Sequence, residues 1–237
     1  MVTTGDDESS NQNADDIVWL HGAGLSGSTW PTDIGGIKPD LPGHGTSMCI
    51  SNPTVERYAD SIEPLLPNRF ALVGHSLGGM VALELATRHP EKVRALVLAE
   101  AVPTVLQSPI SIFTARIAKA IMSHISPKRL AWLSGLSEPE QVKHHLRDQI
   151  GSMTAQGIKA GLDAAMQYDS RRHFPDINAP TLIIIGERNK STHEGANLLL
   201  QGIPNSQLMA MPGGHMIHIE NADLFYSTVL EFLGDKK

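Results

Sequence analysis

A single cysteine, Cys49, stands among the 237 residues, so the chain cannot form an internal disulfide and suits a reducing, cytoplasmic compartment. That cysteine has no partner thiol for a metal site, and nothing in the sequence calls for a cofactor. No apolar run approaches the ~20 residues that a membrane span needs. Positive charge is not in excess either. The formal net charge is −6, which argues against a nucleic-acid partner. The stretch Met1 to Asp16 holds Asp6, Asp7, Glu8, Asp15 and Asp16 but neither a basic nor an apolar segment. Residues 1–16 therefore read as a disordered acidic lead-in rather than a signal peptide.

What is present is an alternation of short apolar runs with helical patterns, across a length that one α/β domain can fill. Ile17 to Leu20 reads as a buried strand entering the glycine-rich His21-Gly22-Ala23-Gly24. Ile37 to Asp40 is a weaker strand candidate, and Thr54 to Leu66 a short helix with Val55, Tyr58, Ile62 and Leu65 on one side. Phe70 to Val73 is a strand and Gly79 to Ala86 a helix. Val93 to Ala99 is the next strand, ending at Glu100. Residues 103–175 then show only helical spacing: Ile110, Phe113, Ile117 and Ile121, a start at Ser126-Pro127, a capping-box pattern at Ser137 to Glu140, and Ile158, Leu162 and Met166. Strands return at Thr181 to Ile185 and Gln207 to Ala210, followed by a helix from Ala222 to Leu233. The expected fold is α/β, a mainly parallel sheet with helices on both faces, formed by 17–102 and 176–237, with 103–175 inserted as a helical cap. In such sheets the working groups collect at the carboxyl ends of the strands.

The residues at those ends have a chemistry in common. Gly74-His75-Ser76-Leu77-Gly78 lies between strand and helix, where a serine on a sharp turn projects its hydroxyl at the positive end of a helix dipole. Its glycines suit a strained, crowded turn. A serine hydroxyl needs a base. Of the 11 histidines, His215 follows Pro212-Gly213-Gly214 after the last strand, in the chain order this serine motif predicts. His218 is the fallback, His75 is expected to point away, and His89 to sit near an exposed helix end. Two backbone N–H donors for an oxyanion are expected from Leu77, at the helix start, and from Ala23 in the glycine-rich loop.

With these motifs, together with Asp40-Leu41-Pro42-Gly43-His44-Gly45, the chain from residue 17 onward resembles the α/β-hydrolase superfamily. Within it, the chain is similar to the compact, helically capped serine esterases of the biotin pathway and to menaquinone-pathway lyases. The resemblance implies a cofactor-free, carboxylesterase-like enzyme (EC 3.1) without a metal. Such an enzyme cleaves a small-molecule carboxylic ester, lactone or thioester through an acyl-enzyme on Ser76. Ser76 argues against the dehalogenases and epoxide hydrolases of the family, which use an Asp nucleophile.

Two departures from the family pattern stand out. Where the family places an Asp in a Gly-Glu-x-Asp stretch, this chain has Gly186-Glu187-Arg188-Asn189, an amide in place of the carboxylate. Some branches carry the acid one strand earlier, and Glu100 occupies that position. Glu100 is the first candidate, and Asn189 and Glu187 are the alternatives. The chain also lacks the usual opening hairpin, so the sheet is expected to be reduced at its N-terminal edge. Asn189 leaves open a catalytically silent ligand-binding relative, and the frame itself leaves open a non-hydrolytic lyase. Between Thr104 and Arg172 nine basic residues stand against five acidic ones, a net of +4. Such a lid draws anionic substrates, or is simply a set of solvated helix faces. Ile112, Phe113, Trp132, Met153 and Met166 are candidate pocket residues.

Overall fold

The computed structural model describes residues 16–105 and 125–234. Five strands, β1 (Ile17–Leu20), β2 (Phe70–His75), β3 (Val93–Ala99), β4 (Thr181–Gly186) and β5 (Ser206–Met211), form one sheet in that order, every pair parallel. Strands β1 to β4 are buried along their whole length, in keeping with their largely apolar sequences, whereas β5 is an edge strand with Gln207, Met209 and Ala210 exposed. Right-handed crossovers between sequential neighbours put the connecting helices on one face. These are α1 (Val55–Ile62) and α2 (Leu77–Arg88), and later α6 (Lys190–Gly202) between β4 and β5. They pack on Val18, Leu20, Leu72, Leu96 and Ile183. The opposite face, carrying Trp19, Val73, Val97 and Ile184, is covered by the C-terminal helix α7 (Ala222–Gly234) and by Trp30. The period-2 alternation of strand side chains separates the two cores.

Between β3 and β4 the described residues form α3 (Pro127–Ser134), α4 (Glu140–Ser152) and α5 (Ala155–Gln167), with no strand among them. Leu130, Val142, Leu146, Ile150 and Ile158 make a third apolar cluster that reaches the main body at Leu25 and Met216. The helix expected around Ile110 to Ile121 lies outside the described residues. Ser126 caps α3 as its sequence predicts, its hydroxyl accepting from the Arg129 N–H with Pro127 in the first turn. The capping box at Ser137 to Glu140 does not form: Pro139 itself takes the N-cap position of α4, and its carbonyl accepts from Lys143 N.

Three further differences have local causes. The strand expected at Ile37 to Asp40 shrinks to one parallel bridge with Val18, because Pro39 has no N–H to extend the ladder. Leu65 is exposed, because Pro64 lies in a 3-10 turn over Glu63–Leu65 that ends the face begun by α1. Asp16 joins the sheet rather than the lead-in. Its carbonyl accepts from Ala71 N, and its carboxylate takes Nε and Nη2 of the buried Arg94 at 2.9 and 2.8 Å. Among the described residues no helix is long and apolar enough to cross a membrane.

Candidate active site

Ser76 follows β2 directly and caps α2, with φ +52° and ψ −116°. A non-glycine residue reaches such a backbone only where its surroundings impose it. Here they do. Ser76 N–H donates to the Ala99 carbonyl across the sheet at 2.9 Å, while Gly79 and Met80 N–H already donate to the Ser76 carbonyl. The turn is packed too tightly for side chains on its flanks. A Cβ on Gly74 would lie 2.5 Å from the Gly78 carbonyl oxygen, and one on Gly78 would lie 2.1 Å from that of Leu20. The Leu77 and Gly78 N–H groups open α2 and have no preceding turn to bond. They point the helix's positive end at the serine.

Glu100 sits at the matching place after β3, also with positive φ, +52°. Its side chain is fully buried, and four donors converge on it. Oε1 takes the Gly186 N–H; Oε2 takes the Asn189 side-chain amide, the Thr192 hydroxyl at 2.9 Å and His215 Nδ1 at 3.3 Å. Burial alone would raise its pKa, but the bonds from His215, Gly186 and Asn189 reverse that and hold it below the usual carboxylate range. The carboxylate is therefore ionised where it faces the imidazole. His215 is 40% exposed and Glu100 is not exposed at all, so a ring open to a ligand stands on a charge closed to water. An Nδ1–H directed at Glu100 leaves Nε2 as the basic nitrogen of His215.

Asn189 lies 3.0 Å from His215 Nδ1, but its amide faces the carboxylate. Its Oδ1 is taken by the Ser191 hydroxyl at 2.7 Å, and turning the amide over would set that oxygen against Glu100. Asn189 thus anchors Glu100 and does not replace it. Glu187, the other alternative acid, is exposed and has no bond to His215; its backbone continues the β4–β5 ladder through Met211, which turns the side chain outward. His218, the fallback base, is wholly buried against Thr29, Trp30 and Phe225, with its pKa held well below the ordinary value by desolvation. His89 ends α2 and pairs with Glu63.

Sequence reasoning missed the use of His75. Its Nε2–H donates to the His215 carbonyl at 2.8 Å, tying the serine turn to the histidine loop 140 residues away. Burial brings its pKa to about 3, so the ring stays neutral beside the serine. Ala23 is an exposed residue of the otherwise largely buried loop after β1. That loop runs alongside the turn: a Cβ on Gly22 would come within 2.7 Å of His75 Nδ1 and 3.2 Å of Ser76 Cβ. Neutral His21, its pKa also lowered to about 3 chiefly by burial, accepts from Leu41 N at 3.0 Å and holds the start of the loop.

A cavity of about 190 Å³ opens beside this cluster, sharing Ala23, His75 and His215 with it. The remaining wall is mostly apolar, from Leu130, Leu146 and Ile150 in particular, and Glu138 is its one charged lining residue among those described. Trp132, Met153 and Met166 do not line it, and Ile112 and Phe113 lie outside the described residues. Trp132 is 56% exposed. Helical spacing marked an apolar face correctly but not which helix presents that face to the cavity. Several of the basic residues between Thr104 and Arg172 are spent on neighbours, with Lys143 paired to Glu140, Lys159 to Asp163 and Arg171 to Asp169.

Serine on a strained turn, a histidine on a buried carboxylate and a glycine-rich loop, all at one sheet edge, make an arrangement suited to acyl transfer. The profile described as "Alpha/beta hydrolase family" matches residues 17–228. The chain belongs to the alpha/beta hydrolase family. A pimeloyl-[acyl-carrier protein] methyl ester esterase of Nitrosomonas europaea is 27% identical over 237 residues, covering 91% of this chain and 94% of the relative. A thermophilic esterase from Thermogutta terrifontis superposes with a TM-score of 0.78 at 25% identity, over 92% of this hydrolase and 89% of that chain. MenH from S. aureus reaches 0.80 at 21% identity over 94% of both, a likeness of fold. This alpha/beta hydrolase therefore has relatives named as esterases, and its fold is shared more widely.

Proposed function

We propose that the protein is a cofactor-free serine esterase (EC 3.1) cleaving a carboxylic ester, lactone or thioester through an acyl-enzyme on Ser76. The observation that carries this reading is the ionised, four-donor Glu100 at His215 Nδ1, one strand from the strained serine. His215 Nε2 takes the Ser76 proton as Oγ attacks the carbonyl carbon. The amides of Leu77 and Ala23 hold the oxyanion, and Glu100 balances the imidazolium. His215 then protonates the departing alcohol or thiol and deprotonates the water that releases the acid.

Helices α3, α4 and α5 act as a cap over this edge. The cavity holds roughly six water volumes, which favours a short acyl group. Its lining is apolar and bears Glu138, so an uncharged acyl end suits it better than a free carboxylate. Relatives named for a methyl ester substrate support a small alcohol as leaving group. The lone cysteine supports a cytoplasmic setting. Asn189 had favoured a silent binding protein; its service to Glu100 speaks against that.

The test is intact-mass detection of a fluorophosphonate adduct, followed by hydrolysis assays on short p-nitrophenyl esters. One adduct on Ser76, and a loss of about 10⁴-fold or more in kcat for Ser76→Ala, are expected. Undiminished hydrolysis by that variant would overturn the reading. Turnover of a substrate without any trapped acyl-serine would point instead to a lyase on the same frame.

A further inference from the structure

Helix α4 turns two faces to the rest of the molecule. Val142, Leu146 and Ile150, spaced by four, join the apolar cluster at the cavity. One position earlier in each turn, Gln141, His145 and Gln149 form a polar stripe bonded to the hydrolase body. Gln141 Nε2 donates to the carbonyls of Ile219 and Glu220, just past His215, at 3.3 and 3.0 Å. His145 Nε2 meets the Thr29 hydroxyl at 2.7 Å. Gln149 bonds to the loop after β1. Its Oε1 accepts from Ser26 N–H and from the Ser26 hydroxyl, both at 2.9 Å, and its Nε2 donates to Ser28 Oγ at 3.0 Å.

We propose that Gln149 is a positioning residue for catalysis: it fixes the loop that presents the Ala23 N–H to the oxyanion, so the cavity wall also completes the oxyanion site. This rests on the reading of Ala23 as an oxyanion donor. The proton count closes around the amide. Ser26 N–H can only donate, so Oε1 must face it; the Ser26 hydroxyl proton goes to the same oxygen, and the Ser28 hydroxyl donates to Ser26 Oγ at 2.8 Å. Every polar group of the Gln149 side chain is thus engaged three and five residues beyond Ala23, and the amide has one orientation. The loop needs such a hold. Gly24 has φ +79°, and its own turn is closed by a long bond of 3.2 Å from Leu25 N to the Gly22 carbonyl. Ile150, next to Gln149, fills the space where a Gly24 side chain would lie, with Cγ1 3.1 Å from that position. The helix grips the turn by a polar and an apolar side chain in succession.

The experiment compares the full-length protein with Gln149→Leu, similar in size but without the bonds, and with Gln149→Glu, which still accepts from Ser26. Readouts are kcat and KM on p-nitrophenyl acetate, the fluorophosphonate labelling rate at Ser76, and Tm. For Gln149→Leu, kcat and labelling fall together by about 10- to 100-fold, with KM within about 2-fold of wild type. Gln149→Glu recovers most of both. Unchanged kcat and labelling in folded Gln149→Leu would overturn the proposal, as would a rise in KM alone, which marks a mere pocket wall. Should Gln149→Leu not fold, Ser28→Ala, which removes the Nε2 partner, decides by the same readouts: a smaller parallel fall supports the proposal, and none overturns it. Activity retained in Ser76→Ala would instead bring down the serine reading itself, whatever Gln149 does.

Discussion

Glu100, the first candidate for the acid, and Asn189, an alternative, stand side by side and share a bond. An amide at Asn189 reads as a lost acid, yet its Nδ2–H group bonds the Glu100 carboxylate at the end of the neighbouring strand. The backbone explains how Glu100 gets there: Glu100 N–H donates to the Ile184 carbonyl at 2.8 Å, and the positive φ then turns the side chain along the sheet edge toward Gly186 and His215. Glu100→Gln should cut kcat about 10³- to 10⁴-fold with little change in KM, by loss of the charge that balances the imidazolium. Adding Asn189→Asp to that variant returns a carboxylate 3.0 Å from Nδ1 and should recover at least about 10-fold. Steady-state kinetics on both variants checks this. A double variant no better than Glu100→Gln would mean that the carboxylate must approach from β3.

At the scale of elements, the cavity depends on α4 more than on any strand. Its apolar stripe was legible as 3.6-residue periodicity, and Ser126 was readable as a helix start because capping is a local bond. Which apolar side chains line the cavity was not legible, since that follows from how α3, α4 and α5 pack against the main body. Leu146, 6% exposed, belongs to both the third core and the cavity wall. Leu146→Ala should therefore cost about 2–4 kcal/mol of stability and enlarge the cavity. Ester preference, measured as kcat/KM from p-nitrophenyl acetate to octanoate, should move toward longer acyl chains. An unchanged ranking would place the acyl group elsewhere.

For the molecule as a whole, the buried histidines set its tolerance of acid. His21 and His75 have pKa values near 3, and that of His218 lies well below ordinary, all chiefly through desolvation. Above about pH 6.5 both folded and unfolded chains leave them neutral; below it the unfolded chain takes up protons that the folded one refuses. Each such group removes about 1.4 kcal/mol per pH unit, so the three together remove roughly 4. The lowered pKa of Glu100 adds loss in the same direction further down, as pH falls below the ordinary carboxylate value. Urea unfolding should give a flat stability above pH 7 and a steep decline below pH 6; equal stability at pH 7.5 and 5.5 would contradict neutral burial. By itself the sequence determined the alternation of elements, the serine turn, the histidine loop and the expectation that they meet at one sheet edge. These rest on periodicity, on glycine where backbones crowd, and on the parallel topology that brings strand ends together. Tertiary structure decided that Asn189 serves Glu100, that His75 braces His215, and that Gln149 reaches Ser26. Those bonds join residues 89, 140 and 123 positions apart, and no local preference encodes which partner a side chain will meet across the fold.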